Sequence, residues 1–123
     1  MTVVRVLLVD DQAPFLRAMS AVVEETDGFE VVGEASSGEE SLLVAAELLP
    51  GLVLMDVNLP GIDGLEATRR LQDCPSPPVV LLLSTYDEDA GAHFVVESGA
   101  AAYVTKSAFS PDRLREVWRA ASA

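Results

Sequence analysis

Five short apolar runs, spaced so that one helix fits between each pair, restrict this chain more than any other feature. Residues 3–9, 29–35, 52–55, 79–83 and 102–105 are rich in aliphatic and β-branched side chains and read as strands. The first, third and fourth runs are apolar on both faces, which suits central strands of a parallel sheet with helices against each side. Helix signals fill the intervals. Ser37 and Glu40 have the spacing of a capping box, in which the Ser37 hydroxyl accepts from the amide three residues on and Glu40 reaches back. Ser110-Pro111-Asp112 sets a cap, a first-turn proline and an acid at the positive end of a last helix, and Pro14 plays the same part in the first. Gly64 opens a third helix over 65–73, and the proline-rich stretch 74–78 forbids its continuation. A fourth is expected over 90–98, weakened by Gly91. Five βα units joined by right-handed crossovers make a doubly wound α/β sandwich.

Length and charge bound the rest. A chain of 123 residues makes one domain, and 50% apolar with 23% charged residues is the profile of a globular unit that folds alone. No repeat, low-complexity tract or linker divides it, and 119–123 reads as a fraying helix end. The net charge of −12 argues against nonspecific attraction to nucleic acid or to an anionic membrane. Cys74 is the single cysteine, so no internal disulfide forms. The first apolar run is broken by Asp10 and Asp11 before it reaches signal-peptide length, no run is long enough to span a bilayer, and the cytoplasm is the expected location.

In open α/β sheets, ligands bind beyond the carboxyl ends of the strands, where the strand order reverses. At those ends lie Asp10-Asp11, Asp56, Ser84-Thr85 and Lys106. Three carboxylates crowded at one edge repel one another unless a hard divalent cation, Mg²⁺ above all, takes their oxygens. The simpler alternative is that Asp10 or Asp11 only caps the first helix. Lys106 is the sole lysine of the chain and directly follows an apolar strand. That position aims a compact ammonium at the acids, where it balances charge and can hold a phosphoryl oxygen.

Asp10-Asp11, the stretch Met55-Asp56-Val57-Asn58-Leu59-Pro60-Gly61-Ile62-Asp63-Gly64, Ser84, and the stretch Ser98-Gly99-Ala100-Ala101-Ala102-Tyr103-Val104-Thr105-Lys106 resemble, in order and spacing, the signature of the response-regulator receiver domain of two-component systems. The likeness runs over residues 3–119. Asp10-Asp11-Gln12 and residues 29–35 further resemble the NarL/FixJ (LuxR-type) subfamily, whose members carry a C-terminal helix-turn-helix DNA-binding domain. The resemblance implies a flavodoxin-like (βα)5 fold with strand order 2-1-3-4-5. It makes Asp56 the acceptor of a phosphoryl group from a sensor histidine kinase. It makes Asp11 and Asp56 ligands of Mg²⁺, Asp10 a partner acting through water, and Asn58 a ligand through its backbone carbonyl.

Lys106 and Ser84 then hold the phosphoryl oxygens, with Thr85 the rival of Ser84 or, more simply, a cap on the fourth helix. Tyr103 matches the aromatic that turns inward as the hydroxyl moves, altering the face of helix four, strand five and helix five. The expected function is a switch, not an enzyme: Mg²⁺-dependent self-phosphorylation and slow self-dephosphorylation only, with output through a DNA-binding domain that residues 1–123 do not contain. The chain is expected to be an excised receiver, or else a stand-alone one. A weak or phosphorylation-dependent homodimer is expected, with no direct contact to nucleic acid or membrane. Phe94, Val95, Leu114 and Trp118 fit either core or interface.

Two positions depart from the family's commonest pattern. Thr85 stands where alanine or glycine is frequent and is expected to shield the acyl phosphate from water. Ser107 replaces a frequent proline, which makes a cis peptide there less secure. Among rival readings, a phosphatase of the haloacid dehalogenase type needs a second Asp where this chain has Asn58, and a flavodoxin's phosphate would be repelled by Asp10 and Asp11. A degenerate receiver serving only as a protein-binding module is the remaining alternative, although the acid, hydroxyl and lysine set is complete.

Overall fold

The computed structural model describes residues 2–122. Strands β1 (Val4–Val9), β2 (Phe29–Ala35), β3 (Leu52–Asp56), β4 (Val79–Ser84) and β5 (Ala102–Thr105) alternate with helices α1 (Ala13–Glu24), α2 (Gly38–Leu48), α3 (Gly64–Gln72), α4 (Glu88–Ser98) and α5 (Pro111–Ser122). All strand pairs are parallel, in the order β2-β1-β3-β4-β5. The expected doubly wound architecture and its strand order are thus present.

Alternation along the central strands feeds two separate cores, because successive side chains leave a strand on opposite faces. Leu7, Val9, Val53, Met55, Val80 and Leu82 pack toward α2, α3 and α4, together with Ala45, Leu65, Ala67 and Leu71. Val6, Leu8, Leu52, Leu54, Leu81 and Leu83 pack toward α1 and α5, together with Met19, Val23, Leu114 and Val117. Leu114 is therefore core, whereas Trp118 is only half-buried and meets Phe29 edge-on at 6.2 Å between ring centroids.

Strand β2 does not keep one face throughout. The register slips between Val6 and Leu7 so that Val31 pairs with Val6 but Gly33 with Leu7, leaving Val32 unpaired. In consequence Phe29 and Val31 serve the α1/α5 core and Ala35 the opposite one, a change of side that a bulge makes possible.

Several helix starts differ in detail from the sequence expectation. The Ser37 hydroxyl caps α2 by accepting from the Glu40 amide at 3.0 Å, but the Glu40 carboxylate reaches one residue further back. It takes the Ser36 amide at 2.6 Å and its hydroxyl at 3.3 Å. Helix α4 begins two residues before the expected Ala90, because Asp87 caps it by accepting from the Ala90 amide at 2.9 Å. Thr85 therefore caps nothing. The Ser110 hydroxyl does cap the start of α5, accepting from Arg113 at 3.2 Å. Among the described residues every peptide bond is trans, including the one before Ser107.

Candidate functional site

The strand order reverses between β1 and β3, and both strands end in acid. Asp10 directly follows β1 and is wholly buried, Asp11 beside it is exposed, and Asp56 is the last residue of β3 with 4% of its surface exposed. One carboxylate oxygen from each of the three lies within 4.8 Å of the others. Lys106 enters from β5 as the first residue of a short 3₁₀ turn, Lys106–Ala108. Its Nζ donates to Asp10 Oδ2 at 2.8 Å and lies 3.4 Å from Asp56 Oδ1. Asp10 does not cap α1, whose N-cap is Gln12 with no side-chain cap hydrogen bond; its other oxygen, Oδ1, accepts from the Gln12 amide at 2.9 Å in the loop that precedes the helix.

One ammonium does not neutralise three carboxylates. The Asp56 acid is pushed up to about 6, first because burial strips water from the carboxylate and next because Asp10 faces it with like charge. Lys106 and the backbone amide of Asn58 pull the other way without prevailing. Hard oxygen donors, excess negative charge and mutual proximity are what a small divalent cation requires, so the residues present fit Mg²⁺.

The loop after β3 is folded tightly over this edge. The Gly64 amide donates to the Val57 carbonyl at 2.8 Å, and a Cβ at Gly64 would run into the backbone carbonyl of Asp56. Only glycine permits that approach. Glu39, from the first turn of α2, accepts from the Ile62 amide at 3.3 Å and so ties the same loop to its neighbour.

Ser84 ends β4 at 2% exposure, in register with Thr105 of β5, one residue past the Leu83 that pairs with Asp56. Tyr103 is half-buried against α4: its ring lies over Gly91 and meets Phe94 at 6.1 Å between centroids, and its hydroxyl donates to the Tyr86 carbonyl at 2.6 Å. Burial, then the charge of Asp87, raise the Tyr103 phenol. Gly91 thus has a packing reason beyond its effect on helix propensity, since a Cβ there would collide with the Tyr103 ring. His93 is exposed on α4.

Two residues of the site had no assignment in the sequence. Tyr86 donates its hydroxyl to Asn58 Oδ1 at 3.2 Å, packs its ring on Phe94 at 5.3 Å, and accepts from Tyr103 through its carbonyl, so it joins the loops after β3 and β4. Phe15, in the first turn of α1, places its ring centroid 3.6 Å from Lys106 Nζ. The only sequence signal for either was an aromatic residue within a few positions of a strand-end polar group.

Residues 6–119 match the family model of the response regulator receiver domain. The chain belongs to that family. Among curated relatives, the response regulator GacA of Pseudomonas protegens is 46% identical over 105 residues, covering 85% of this chain and 49% of that protein. The transcriptional regulatory protein LiaR of Bacillus subtilis is 36% identical over 119 residues, covering 97% of this chain and 56% of LiaR. This receiver domain therefore spans about half the length of the curated relatives it matches. The crystal structure of a LuxR-family two-component response regulator from an Aurantimonas species superposes with a TM-score of 0.85 at 33% identity, covering 97% of this chain and 84% of that one. The response regulator domain of Thermotoga maritima CheB gives 0.83 at 28% identity, covering 98% of each chain. The likeness to NarL/FixJ-type (LuxR-type) receivers read from the sequence agrees with these relatives. No helix among the described residues is long and apolar enough to cross a membrane.

Proposed function

We propose that Asp56 is the phosphoacceptor of this receiver domain and that the domain switches an output when a sensor histidine kinase phosphorylates it. The observation that carries the proposal is the convergence of Asp10, Asp11 and Asp56 within 4.8 Å at the strand ends, with the sole lysine reaching two of them. An acid near 6 is largely ionised at neutral pH, so Asp56 is available as a nucleophile. Its carboxylate oxygen attacks the phosphorus of a phosphohistidine, the N–P bond breaks, and the imidazole leaves to be protonated while an acyl phosphate forms on Asp56. Asp11, Asp56 and the Asn58 carbonyl, with Asp10 through water, would hold Mg²⁺, which when bound would supply positive charge to offset that of the phosphoryl oxygens. Lys106 and Ser84 receive the phosphoryl oxygens by charge-assisted hydrogen bonds. Their movement toward the phosphoryl group fixes Tyr103 inward, and the α4–β5–α5 face becomes the readout.

The output is a DNA-binding domain outside residues 1–123, which makes the whole protein a cytoplasmic transcription regulator. The family of the relatives supports this, as does a domain too acidic to hold DNA itself. Turnover is limited to Mg²⁺-dependent self-phosphorylation and slow self-dephosphorylation, and the domain forms a homodimer that is weak or depends on phosphorylation. Intact mass after incubation with acetyl phosphate tests the central claim. One phosphate adduct is expected that requires both Mg²⁺ and Asp56 and is absent from Asp56→Asn. No adduct under any condition would leave a degenerate receiver acting as a protein-binding module.

A further inference from the structure

We infer that Phe15 is a positioning residue for Lys106, its ring face forming a third seat for the ammonium beside Asp10 and Asp56. Three observations meet here. The ring centroid lies 3.6 Å from Nζ, inside the range where a desolvated ammonium is held by an aromatic quadrupole. The Lys106 side chain is 13% exposed, so water does not compete freely for its donors. Finally, Phe15 belongs to neither hydrophobic core, whereas its neighbours Leu16 and Met19 do. Instead it borders a mainly apolar cleft of about 320 Å³, with Met19, Thr85, Ser107 and Phe109 among the other walls, that ends at Lys106. An aromatic side chain at the edge of a cleft fills no core, and the charge on its face is what it meets.

The seat matters because the other two partners of the lysine are the groups that change role. This step rests on the proposed phosphoacceptor chemistry. Once Asp56 carries a phosphoryl group, the carboxylate oxygen 3.4 Å from Nζ is no longer an equal counter-ion, and any cation drawing on Asp10 competes for the oxygen at 2.8 Å. The Phe15 ring is the one partner that neither event consumes. It keeps the ammonium beside the acids and narrows the conformations from which Lys106 meets a phosphoryl oxygen. Both Asp10 and Phe15 come from the β1–α1 connection, with Asp10 bound to the Gln12 amide and Gln12 accepting from the Phe15 amide at 3.1 Å. The acid and the ring are therefore fixed relative to each other by backbone.

The single lysine makes the idea directly testable, because lysine-selective ¹³C labelling gives one side-chain Hε–Cε signal. In the metal-free protein that signal is expected upfield of an ordinary lysine through the ring current of Phe15, and Phe15→Leu should return it to the ordinary position while Phe15→Tyr keeps it displaced. Function is read by replacing Phe15 with mono-, di- and trifluorinated phenylalanines, which hold the shape of the ring and drain its face of negative charge. The rate of acetyl-phosphate-driven adduct formation should fall stepwise across that series, by roughly tenfold at the end of it. An undisplaced lysine signal in the parent protein, or a displaced signal with equal rates across the fluorinated series, overturns the inference and leaves the phosphoacceptor reading intact. A parent protein that forms no adduct fails that reading instead, and the lysine signal in Phe15→Leu still decides whether the ring holds the ammonium.

Discussion

Helices α3 and α4 begin in the same way and end up in different states. Each follows a strand whose last residue belongs to the site, and each is capped by an aspartate, Asp63 accepting from Glu66 at 2.8 Å and Asp87 from Ala90 at 2.9 Å. Yet α3 buries Gly64, Leu65, Ala67, Thr68 and Leu71, while α4 buries only Gly91 and Ser98 and leaves Val96 85% exposed. What presses α4 to the sheet is a side cluster of Tyr86, Phe94 and Tyr103 in edge-to-face contact. The lesson is that similar local signals set where a helix starts, whereas the depth of its apolar face sets how firmly it stays. A switch needs one of each, and here α3 is firmly packed beside the acid loop while α4 has the shallower apolar face.

The largest expected contrast is in truncation. Leu71→Ala should cost about 3 kcal/mol in denaturant unfolding, as a fully buried leucine does, and Val96→Ala on α4 almost nothing. Equal losses would mean that α4 is as firmly packed as α3. Next come the two glycines. Gly64→Ala meets backbone and should cost about 2–3 kcal/mol with no cure. Gly91→Ala runs first into the Tyr103 ring, so it should destabilise the parent but stabilise a Tyr103→Ala background by up to about 1 kcal/mol, alanine being the better helix former. A cost that persists without the tyrosine would show that Gly91 is needed for backbone reasons, as Gly64 is.

The strand end between the two helices has its own signature in pH. Asp56 is raised from 3.8 to about 6 in the folded chain, so the folded state holds this proton more tightly than the unfolded one. Its stabilising protonation is complete below pH 3.8 and is lost as pH rises through 6. Asp56→Asn removes that loss, so the stability of the variant relative to the parent should grow across this window to about 3 kcal/mol near pH 7.5. A pH-independent difference would show that the charge is already compensated. The smallest effect concerns the caps, each worth about 1 kcal/mol. Asp63→Ala should lower the unfolding midpoint, whereas Asp87→Ala should mainly speed amide exchange within α4. A midpoint lowered equally by both would erase the contrast between the helices.

Much of this was legible in the chain itself, for a physical reason: strand runs and caps are encoded by neighbours in sequence. The five strands fall within one residue of the expected bounds, and the acid-and-lysine edge follows from what each strand ends on. What was not legible depends on groups far apart. Nothing near Phe15 announces an ammonium supplied from position 106, and nothing near Tyr86 announces Asn58. Thr85 read as a cap because a hydroxyl before a helix usually is one, but Asp87 stood closer to the first free amides. The change of face in β2 was hidden as well: Val31 and Val32 are adjacent and both apolar, so the sequence does not say which of them keeps the pairing with β1.

That slipped residue in β2 bears on how the molecule can associate. β2 is one of the two edges of the sheet, and an edge that is straight and apolar invites another chain to extend it. Here the free edge is broken at Val32 and carries exposed Glu30 and Glu34, and the edge at the far side, β5, is only four residues long. Neither rim is a good template for strand addition. A partner that binds without continuing the sheet meets the side chains of the domain's faces rather than a free strand edge.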